Sequence, residues 1–168
     1  MDKIIRNWRK EDAASLAKML SNKKIQDNLR DGLAFPYTEQ DALAFINDML
    51  NADPTKTFAF AIVNDEDQAI GSIGAFRCGN IHRQTAEMGY YVAEDYWGQG
   101  VGTKAVKQLT DYVFAETDII RIFAEPFSTN QASCRLLEKN GFQFEGTLRK
   151  NAVKNGKVVD MQMYALIK

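Results

Sequence analysis

The sequence has little of what metal sites, disulfide frameworks and membrane spans require. It contains one histidine, His82, and two cysteines, Cys78 and Cys134, which lie far apart and lack a Cys-x-x-Cys spacing. A site with several histidine ligands is therefore excluded, no zinc site is expected, and both cysteines are predicted to be reduced thiols. No apolar run reaches the roughly 18 residues that a transmembrane helix needs.

Neither sign of charge is in excess, because 21 lysines and arginines stand against 22 aspartates and glutamates. Nucleic acid is therefore not expected as the main ligand, since its binding depends on clustered positive charge that displaces counterions. The first ten residues alternate charged and apolar side chains without an apolar core or a cleavage site, so they predict no signal peptide. We expect a cytoplasmic monomer or homodimer with no membrane partner.

The length of the chain and the distribution of its prolines indicate one domain over residues 1–168. The three prolines occur singly, and no linker or repeat interrupts the chain. The hydrophobic pattern predicts strands over residues 4–8, 57–63, 69–78, 86–92, 119–124, 142–150 and 158–167. It predicts helices over residues 12–21, 38–51, 100–115 and 130–140. This order favours the α+β class, with a mixed, mostly antiparallel central sheet of about seven strands flanked by about four helices.

The most informative segment is Tyr-Trp-Gly-Gln-Gly-Val-Gly-Thr at residues 96–103, between a predicted strand and a predicted helix. Alternate glycines remove side chains where a bound anion must approach the backbone. The amides from Gln99 to Thr103 are also the unpaired donors of a helix amino terminus, where the macrodipole favours negative charge. The segment therefore predicts a diphosphate cradle, although the same spacing also occurs in ordinary glycine-rich turns that begin helices.

Three nucleotide sites are compatible with glycine-rich turns, and two of them fit poorly. A P-loop requires a Gly-Lys-Ser/Thr step that this segment lacks. A dinucleotide fold requires GxGxx[GA], which Gly100, Gly102 and Ala105 satisfy, so a nicotinamide dinucleotide remains the formal rival. Residues 93–97 separate the glycines from the preceding strand, however, and no acidic residue ends the strand after the helix.

The third site is one for coenzyme A. The segment resembles the acetyl-CoA motif of the GNAT N-acetyltransferases, [RQ]xxGx[GA], with Gly100 and Gly102 at the glycine positions and Trp97 in place of arginine or glutamine. Tyr-Trp-Gly-Gln-Gly resembles the Rim-type branch, which acetylates ribosomal protein amino termini. Residues 130–133 and 141–142 resemble the family's pantetheine-binding motif. The resemblance covers nearly the whole chain and implies a GNAT-like fold with acetyl-CoA as co-substrate and no metal.

The cradle and the resemblance together suggest a set of cofactor-binding residues, some acting through their backbone. They are Tyr91, Val92, Gln99, Gly100, Val101, Gly102, Thr103, Asn130 and Ser133. By resemblance, Asn130 contacts the pantetheine amides, which is compatible with a second role as a helix N-cap. A backbone amide near Val92 is expected to polarise the thioester carbonyl.

Acyl transfer to an amine requires the neutral amine. At pH 7 its formation costs roughly 4.6 kcal/mol for a lysine but only about 1 kcal/mol for an α-amine, so a modest base suffices for an amino terminus. Glu87, on the strand before the glycine segment, is the candidate base, unless it is simply a solvent-facing strand residue. The family often places a tyrosine acid where this chain has Leu137, so the resemblance leaves Ser133 as proton donor, unless Ser133 only bonds the backbone.

The acceptor groove is expected to involve a loop and the terminal hairpin, at Asn28, Arg30, Phe35, Tyr37, Asp160 and Tyr164. The leading hypothesis is direct transfer, in a ternary complex, from acetyl-CoA to a primary amine such as a ribosomal or other protein amino terminus. A small-molecule acetyltransferase acting on a polyamine, amino acid or aminoglycoside is one alternative. A non-catalytic acyl-CoA sensor is another alternative, because Leu137 stands where the family often has its catalytic tyrosine.

Overall fold

The computed structural model describes residues 2–168, and its strands and helices follow the order that the hydrophobic pattern predicts. The strands are β1 (Ile5–Arg6), β2 (Thr57–Val63), β3 (Ala69–Arg77), β4 (Thr85–Val92), β5 (Arg121–Ala124), β6 (Gln143–Lys154) and β7 (Lys157–Ile167). The helices are α1 (Ala13–Leu20), α2 (Lys23–Gln26), α3 (Glu39–Leu50), α4 (Val101–Glu116) and α5 (Gln131–Lys139). The predicted α+β class is confirmed, while the single turn α2 and the length of β6 were not predicted.

One sheet contains all seven strands, in the order β1-β2-β3-β4-β5-β7-β6, and only the β4–β5 pair is parallel. That pair runs from Thr85 opposite Arg121 to Glu87 opposite Phe123. Strand β4 continues to Val92 beyond this last pair, whereas β5 ends at Ala124. An opening therefore separates residues 88–92 of β4 from the chain that follows β5, and we call it the β4–β5 gap.

Each face of the sheet carries its own hydrophobic core. Helices α4 and α5 pack on one face, where Leu109, Ile122 and Leu137 are fully buried. Helices α1 and α3 pack on the other face, where Leu16 and Ile46 are fully buried. No helix among residues 2–168 combines the length and hydropathy that a membrane span requires.

Because side chains alternate along a strand, β4 presents different residues to the two cores. Met88 and Tyr90 contact the core under α4 and α5, whereas Tyr91 contacts the core under α1 and α3. Glu87 shares the parity of Tyr91 and therefore lies on the α1 and α3 face. The β4–β5 gap is thus bordered by different chemical groups on its two sides.

Helix α3 begins with a capping box formed by Thr38 and Asp41. The Thr38 Oγ1 accepts the Asp41 N–H at 3.1 Å, and the Asp41 carboxylate accepts the Thr38 N–H at 2.9 Å. The backbone bond from Thr38, followed by the bond from its hydroxyl, holds the pKa of the Asp41 carboxyl below its ordinary value. The box therefore favours the ionised carboxylate.

We expect Thr38→Ala to lower the free energy of unfolding by about 1 kcal/mol at neutral pH, because an N-cap acceptor is lost. Since the folded-state pKa of Asp41 is depressed, the box contributes fully above the unfolded-state pKa and is lost as the pH falls through the folded-state pKa. The difference from wild type should therefore shrink in acid, as measured by urea unfolding at several pH values. Thr38→Ser, which keeps the hydroxyl, is the control, and an equal loss in both variants would contradict the capping role.

Candidate active site

The loop between β4 and α4 brings a helix amino terminus to the end of the β4–β5 gap. Gly98 and Gly100 have φ angles of 73° and 78°, in the left-handed region where side chains are unfavourable, and Gly100 is the N-cap of α4. A Cβ atom at either position would have no neighbour within 4 Å among the described residues. The two glycines therefore leave the approach to the first amides of α4 uncovered.

The first amides of α4 are available to an anion. Lys104 makes the first intrahelical bond of the helix, to the Gly100 carbonyl at 3.1 Å, so the N–H groups of Val101, Gly102 and Thr103 precede the ladder. Within residues 2–168, no N-cap side chain bonds to them. Three converging donors and the positive end of the helix dipole fit the diphosphate of a coenzyme A thioester.

Gly102 has a packing role as well. A Cβ atom there would lie 2.7 Å from Leu136 Cδ1 of α5, so the absence of a side chain lets α4 and α5 approach closely. The same approach brings the amino-terminal turns of both helices to the gap. The glycine spacing predicted a cofactor-binding role for Gly102, but it did not reveal the contact between α4 and α5 that also requires a glycine there.

Trp97 fastens the glycine loop to the end of β4. Its indole Nε1 donates to the Val92 carbonyl oxygen at 2.8 Å, and the Gln99 side chain donates to the Asp95 carbonyl at 3.0 Å. Trp97 occupies the motif position where arginine or glutamine was expected by resemblance. In this chain the position therefore holds a loop anchor that the sequence did not reveal.

Backbone alternation along β4 determines which groups face the gap. The Ala93 N–H donates to the Ile70 carbonyl of β3 at 2.7 Å. Because hydrogen bonding alternates along an antiparallel strand, the odd-numbered residues of β4 direct their N–H and C=O groups to β3. Tyr91 has that parity and is bonded within the sheet, opposite Ser72. Val92 is even-numbered, so its N–H faces the gap, while its carbonyl oxygen accepts the hydrogen bond from the Trp97 indole. Of the two predicted backbone contacts, the structure directs only Val92 toward the gap.

Glu87 is half-buried and forms an ion pair with Arg30 on the α1 and α3 side of the gap. The loop that carries Arg30 is fastened to the terminal hairpin, since Lys154 Nζ lies 2.9 Å from Asp31 Oδ1 and Asn155 Nδ2 donates to Asp27 Oδ1 at 3.0 Å. The structure therefore brings the predicted base, a predicted acceptor residue and the hairpin to one side.

A second carboxyl group, Glu125, was not predicted from the sequence. It follows β5 directly and is half-buried. Burial raises the pKa of Glu125, the charge of Glu87 raises it further, and the charge of Arg30 opposes both. A half-buried carboxyl group whose pKa is raised by burial and by a neighbouring charge is typical of sites for proton transfer. The expectation that no acidic residue ends this strand was therefore wrong, because Glu125 directly follows the predicted strand 119–124.

Ser133 lies in the first turn of α5, on the other side of the gap. Its N–H donates to Asn130 Oδ1 at 3.3 Å, so Asn130 is the N-cap of α5. The Ser133 Oγ lies 2.6 Å from the Tyr90 hydroxyl. Burial raises the pKa of Tyr90 to about 12, although the bond with Ser133 acts in the opposite direction. Leu137, one turn later, is buried in the core.

Three of the other predicted acceptor residues are accessible. Asn28 and Phe35 are exposed in the segment between α2 and α3, and the Lys23 ammonium lies 5.5 Å from the centroid of the Phe35 ring. Asp160 is half-buried on β7, where its Oδ1 accepts the Lys150 N–H at 2.7 Å and so holds the irregular part of the hairpin. Asn28 and Phe35 belong to the same segment as Arg30, whereas Asp160 shares the strand face of Tyr164, under α4 and α5.

Tyr37 and Tyr164 are placed differently from the expectation. Tyr37 is buried in the core under α1 and α3, and its hydroxyl donates to the Asp41 carbonyl at 3.2 Å. Tyr164 is buried in the other core, and its hydroxyl donates to Glu138 Oε1 at 2.7 Å. Both side chains pack and bond internally, so the structure does not bring them into an acceptor groove.

A cavity of about 300 Å³ lies away from the gap, between α3, β2 and α4. Its lining includes Trp8, Phe58 and Tyr112, and no carboxylate, histidine or cysteine side chain contributes to it. The cavity therefore lacks the carboxylate or imidazole that a general base at neutral pH requires. In the part of the chain that the structure describes, no group of three or more histidine, cysteine, aspartate or glutamate residues is placed to hold a metal ion.

Comparison with known proteins establishes the family. Residues 3–143 match the acetyltransferase (GNAT) domain. The chain is 30% identical over 168 residues to the uncharacterized N-acetyltransferase p20 of Bacillus licheniformis, covering 98% of this chain and 92% of the relative. The chain therefore belongs to the GNAT acetyltransferases and is an acetyl-CoA-dependent N-acetyltransferase. This confirms the resemblance drawn from the two motifs and decides between the cofactor alternatives in favour of coenzyme A.

Solved structures confirm the fold. The ribosomal-protein-S5-alanine acetyltransferase of Vibrio fischeri superposes with a TM-score of 0.87 at 20% identity, covering 99% of this chain and 94% of its own. The spermidine N-acetyltransferase of Vibrio cholerae, in complex with CoA and spermine, superposes with a TM-score of 0.82 at 20% identity, covering 97% and 94%. One is named for a protein acceptor and the other for a polyamine, so the shared fold leaves the acceptor open.

Proposed function

We propose that the protein transfers the acetyl group of acetyl-CoA to the α-amine of a protein or peptide amino terminus, by direct attack within a ternary complex. The observation that carries the proposal is the β4–β5 gap, which has helix amides at its end, carboxyl groups on one face and hydroxyl groups on the other. Acetyl-CoA supplies the activated thioester. The protein positions the reactants and manages their protons.

The amides of Val101, Gly102 and Thr103 hold the diphosphate, and Asn130 contacts the pantetheine arm from the start of α5. The Val92 N–H faces the gap and is the donor assigned to the acyl oxygen. A donor fixed at the end of a strand stabilises charge that develops on this oxygen without reorganising during the reaction. Trp97 supports this donor because its indole fixes the carbonyl of the same residue.

Glu87 is the proposed base. Its carboxylate forms an ion pair with Arg30, whose side chain is 73% exposed. Exposed ion pairs of this kind contribute little stability and open readily. An incoming ammonium group can replace the guanidinium at the carboxylate and lose its proton there, which leaves the neutral amine that attack requires. Glu125 has a raised pKa and is therefore a better proton acceptor than an ordinary carboxylate, so the two groups share this task.

An α-amine fits this arrangement better than a lysine. Deprotonation at pH 7 costs about 1 kcal/mol for an α-amine and roughly 4.6 kcal/mol for a lysine, and partly exposed carboxylates supply only modest assistance. The likeness to an enzyme named for ribosomal protein S5 supports a ribosomal or other protein amino terminus. A polyamine is the second candidate acceptor, supported by the spermine complex of the Vibrio cholerae enzyme and by the two carboxyl groups at the gap.

Incubation with acetyl-CoA and a panel of peptides and small amines, read by mass and by release of free thiol, tests the proposal. We expect acetylated peptide amino termini and stoichiometric thiol. Acetylation confined to polyamines would establish the second candidate instead. Binding of CoA without thiol release from any acceptor would favour the non-catalytic sensor.

The pH dependence of Glu87→Gln should identify the acceptor amine. We expect kcat/KM to fall about tenfold near pH 6.5, where the base must deprotonate the amine, and to recover at about pH 9, where an α-amine is already neutral. A lysine acceptor would extend the defect to about pH 10 or above, because its pKa is near 10.4. Steady-state rates with one peptide substrate across this range are the measurement.

Glu116→Gln is the matched control for this variant, since Glu116 is exposed at the end of α4 and the change in charge is the same. Its pH profile should coincide with that of wild type. A Glu87→Gln profile parallel to wild type at every pH would remove Glu87 from proton transfer.

A further inference from the structure

The Tyr90 and Ser133 hydroxyls form a pair that joins β4 to α5 beside the gap. Their oxygens are 2.6 Å apart. Tyr90 lies on the α4 and α5 face of β4, whereas Glu87 lies on the opposite face. An acyl group in the gap therefore meets the proposed base from one side of the sheet and the hydroxyl pair from the other.

We infer that Tyr90 is a positioning residue, whose hydroxyl donates to Ser133 Oγ and so turns the Ser133 O–H toward the sulfur of the departing coenzyme A. The inference rests on the proposed function and adds to it the group that orients the Ser133 hydroxyl, which here acts as a hydrogen-bond donor to the sulfur. Tyr90 itself does not touch the reacting atoms. Its effect is transmitted through Ser133.

Either hydroxyl could donate at this distance, and hydroxyl chemistry favours donation from Tyr90 to Ser133. A serine hydroxyl has a single hydrogen and two acceptor lone pairs. If Ser133 donated to Tyr90, no hydrogen would remain for the sulfur. A phenol is more acidic than an aliphatic alcohol and is the stronger donor of the two. Burial keeps Tyr90 protonated, which preserves its capacity to donate.

The proton stays on Tyr90 throughout. Burial raises the pKa of Tyr90 to about 12, whereas a thiol titrates near ~8.5, so transfer from the phenol to the thiolate is unfavourable. As the carbon–sulfur bond breaks, sulfur keeps the electron pair and accepts a hydrogen bond from Ser133. The amine proton leaves through the carboxyl groups on the other face, and the released thiolate is protonated by solvent.

The core around α5 explains why a β4 residue takes this task. By resemblance, the family tyrosine would stand at Leu137, but Leu137 is fully buried in the core under α4 and α5. Helix α5 therefore offers the short Ser133 hydroxyl beside the gap in place of a tyrosine. The Tyr90 hydroxyl reaches Ser133 from the neighbouring strand and supplies the second donor.

Binding of CoA and of desulfo-CoA, which lacks the sulfur, tests the inference without turnover. At about pH 9, where more of the thiol is ionised than at neutral pH, we expect wild type to prefer CoA by about tenfold in calorimetry, since a hydrogen bond to a charged group is lost with the sulfur. Tyr90→Phe and Ser133→Ala should each reduce this preference to about twofold. The Kd of desulfo-CoA should stay unchanged in both variants.

Kinetics supply a second readout. We expect Tyr90→Phe to lower kcat about tenfold with KM for acetyl-CoA within about twofold of wild type. The double variant should be no slower than Ser133→Ala, because the two residues act as one unit. Tyr112→Phe, an exposed tyrosine on α4, is the control and should match wild type.

Equal weakening of CoA and desulfo-CoA in Tyr90→Phe would indicate a structural role and overturn the inference. Retention of the tenfold preference in Tyr90→Phe, with acetyl transfer intact in wild type, would overturn it while leaving the proposed function in place. Absence of both binding and transfer in wild type would instead contradict the proposed function. If Tyr90→Phe fails to fold, 3-fluorotyrosine at position 90 keeps the hydroxyl and should retain the preference, whereas its loss would overturn the inference.

Discussion

Replacing Gly100 with valine is expected to weaken acetyl-CoA binding by about a hundredfold, which corresponds to about 2.7 kcal/mol. Gly100 has a φ angle of 78°, and a residue with a Cβ atom is strained there by roughly 1–2 kcal/mol. The loop can relieve the strain only by rotating away from this conformation, which moves the first amides of α4. The new side chain would also extend into the open approach to these amides.

Gly156→Val separates strain from binding. Gly156 has a φ angle of 74° in the β6–β7 turn, and a Cβ atom there also meets no neighbour within 4 Å in the described part of the chain. Both variants should therefore lose similar stability in thermal melts, while only Gly100→Val loses affinity in calorimetry with acetyl-CoA. Equal affinities would show that the diphosphate does not lie at the α4 terminus.

The sequence predicts this cradle well because its determinants are local. Alternate glycines, a strand before them and an amphipathic helix after them suffice to define a helix terminus with uncovered donors. Strand β2 and helix α3 were predictable for the same reason. The bounds of β2 coincide with the apolar run, and α3 begins at a capping box whose two residues, Thr38 and Asp41, lie within one helical turn.

Elements that depend on irregular backbone were harder to predict. Strand β6 was expected to end near Lys150, where the apolar alternation fails, but it continues to Lys154. A register shift between Leu148 and Ala152 interrupts the pairing, and Lys150 adopts a positive φ of 54° within it. The alternation therefore stops at a bulge rather than at the end of the strand.

The side-chain constellation of the site depends on contacts between distant segments. Arg30 and Glu87 are 57 residues apart in the sequence, and Tyr90 and Ser133 are 43 apart. Glu87, Ser133 and Arg30 were predicted as site residues from the sequence, but Tyr90 was not. No local sequence pattern indicates that these pairs are in contact. Tyr164 shows the converse, because a plausible groove residue by position is held in the core by Glu138.

Leu137→Ala is expected to lower the free energy of unfolding by about 2–5 kcal/mol, since removing a fully buried leucine leaves a cavity that the core fills only in part. Leu137 is 0% exposed in the core under α4 and α5, which also contains Leu109 and Ile122. This loss would be a large part of the stability of an ordinary domain. Urea unfolding monitored by circular dichroism measures it.

The matched control for this change is Leu50→Ala, at the last residue of α3, where the side chain is 47% exposed. The same atoms are deleted, so the difference between the two variants isolates burial, and we expect less than about 1 kcal/mol for Leu50→Ala. Similar losses in both variants would contradict the placement of Leu137 in the core. A stable Leu137→Ala protein with normal CoA preference would further mean that α5 can hold Ser133 against Tyr90 without this contact.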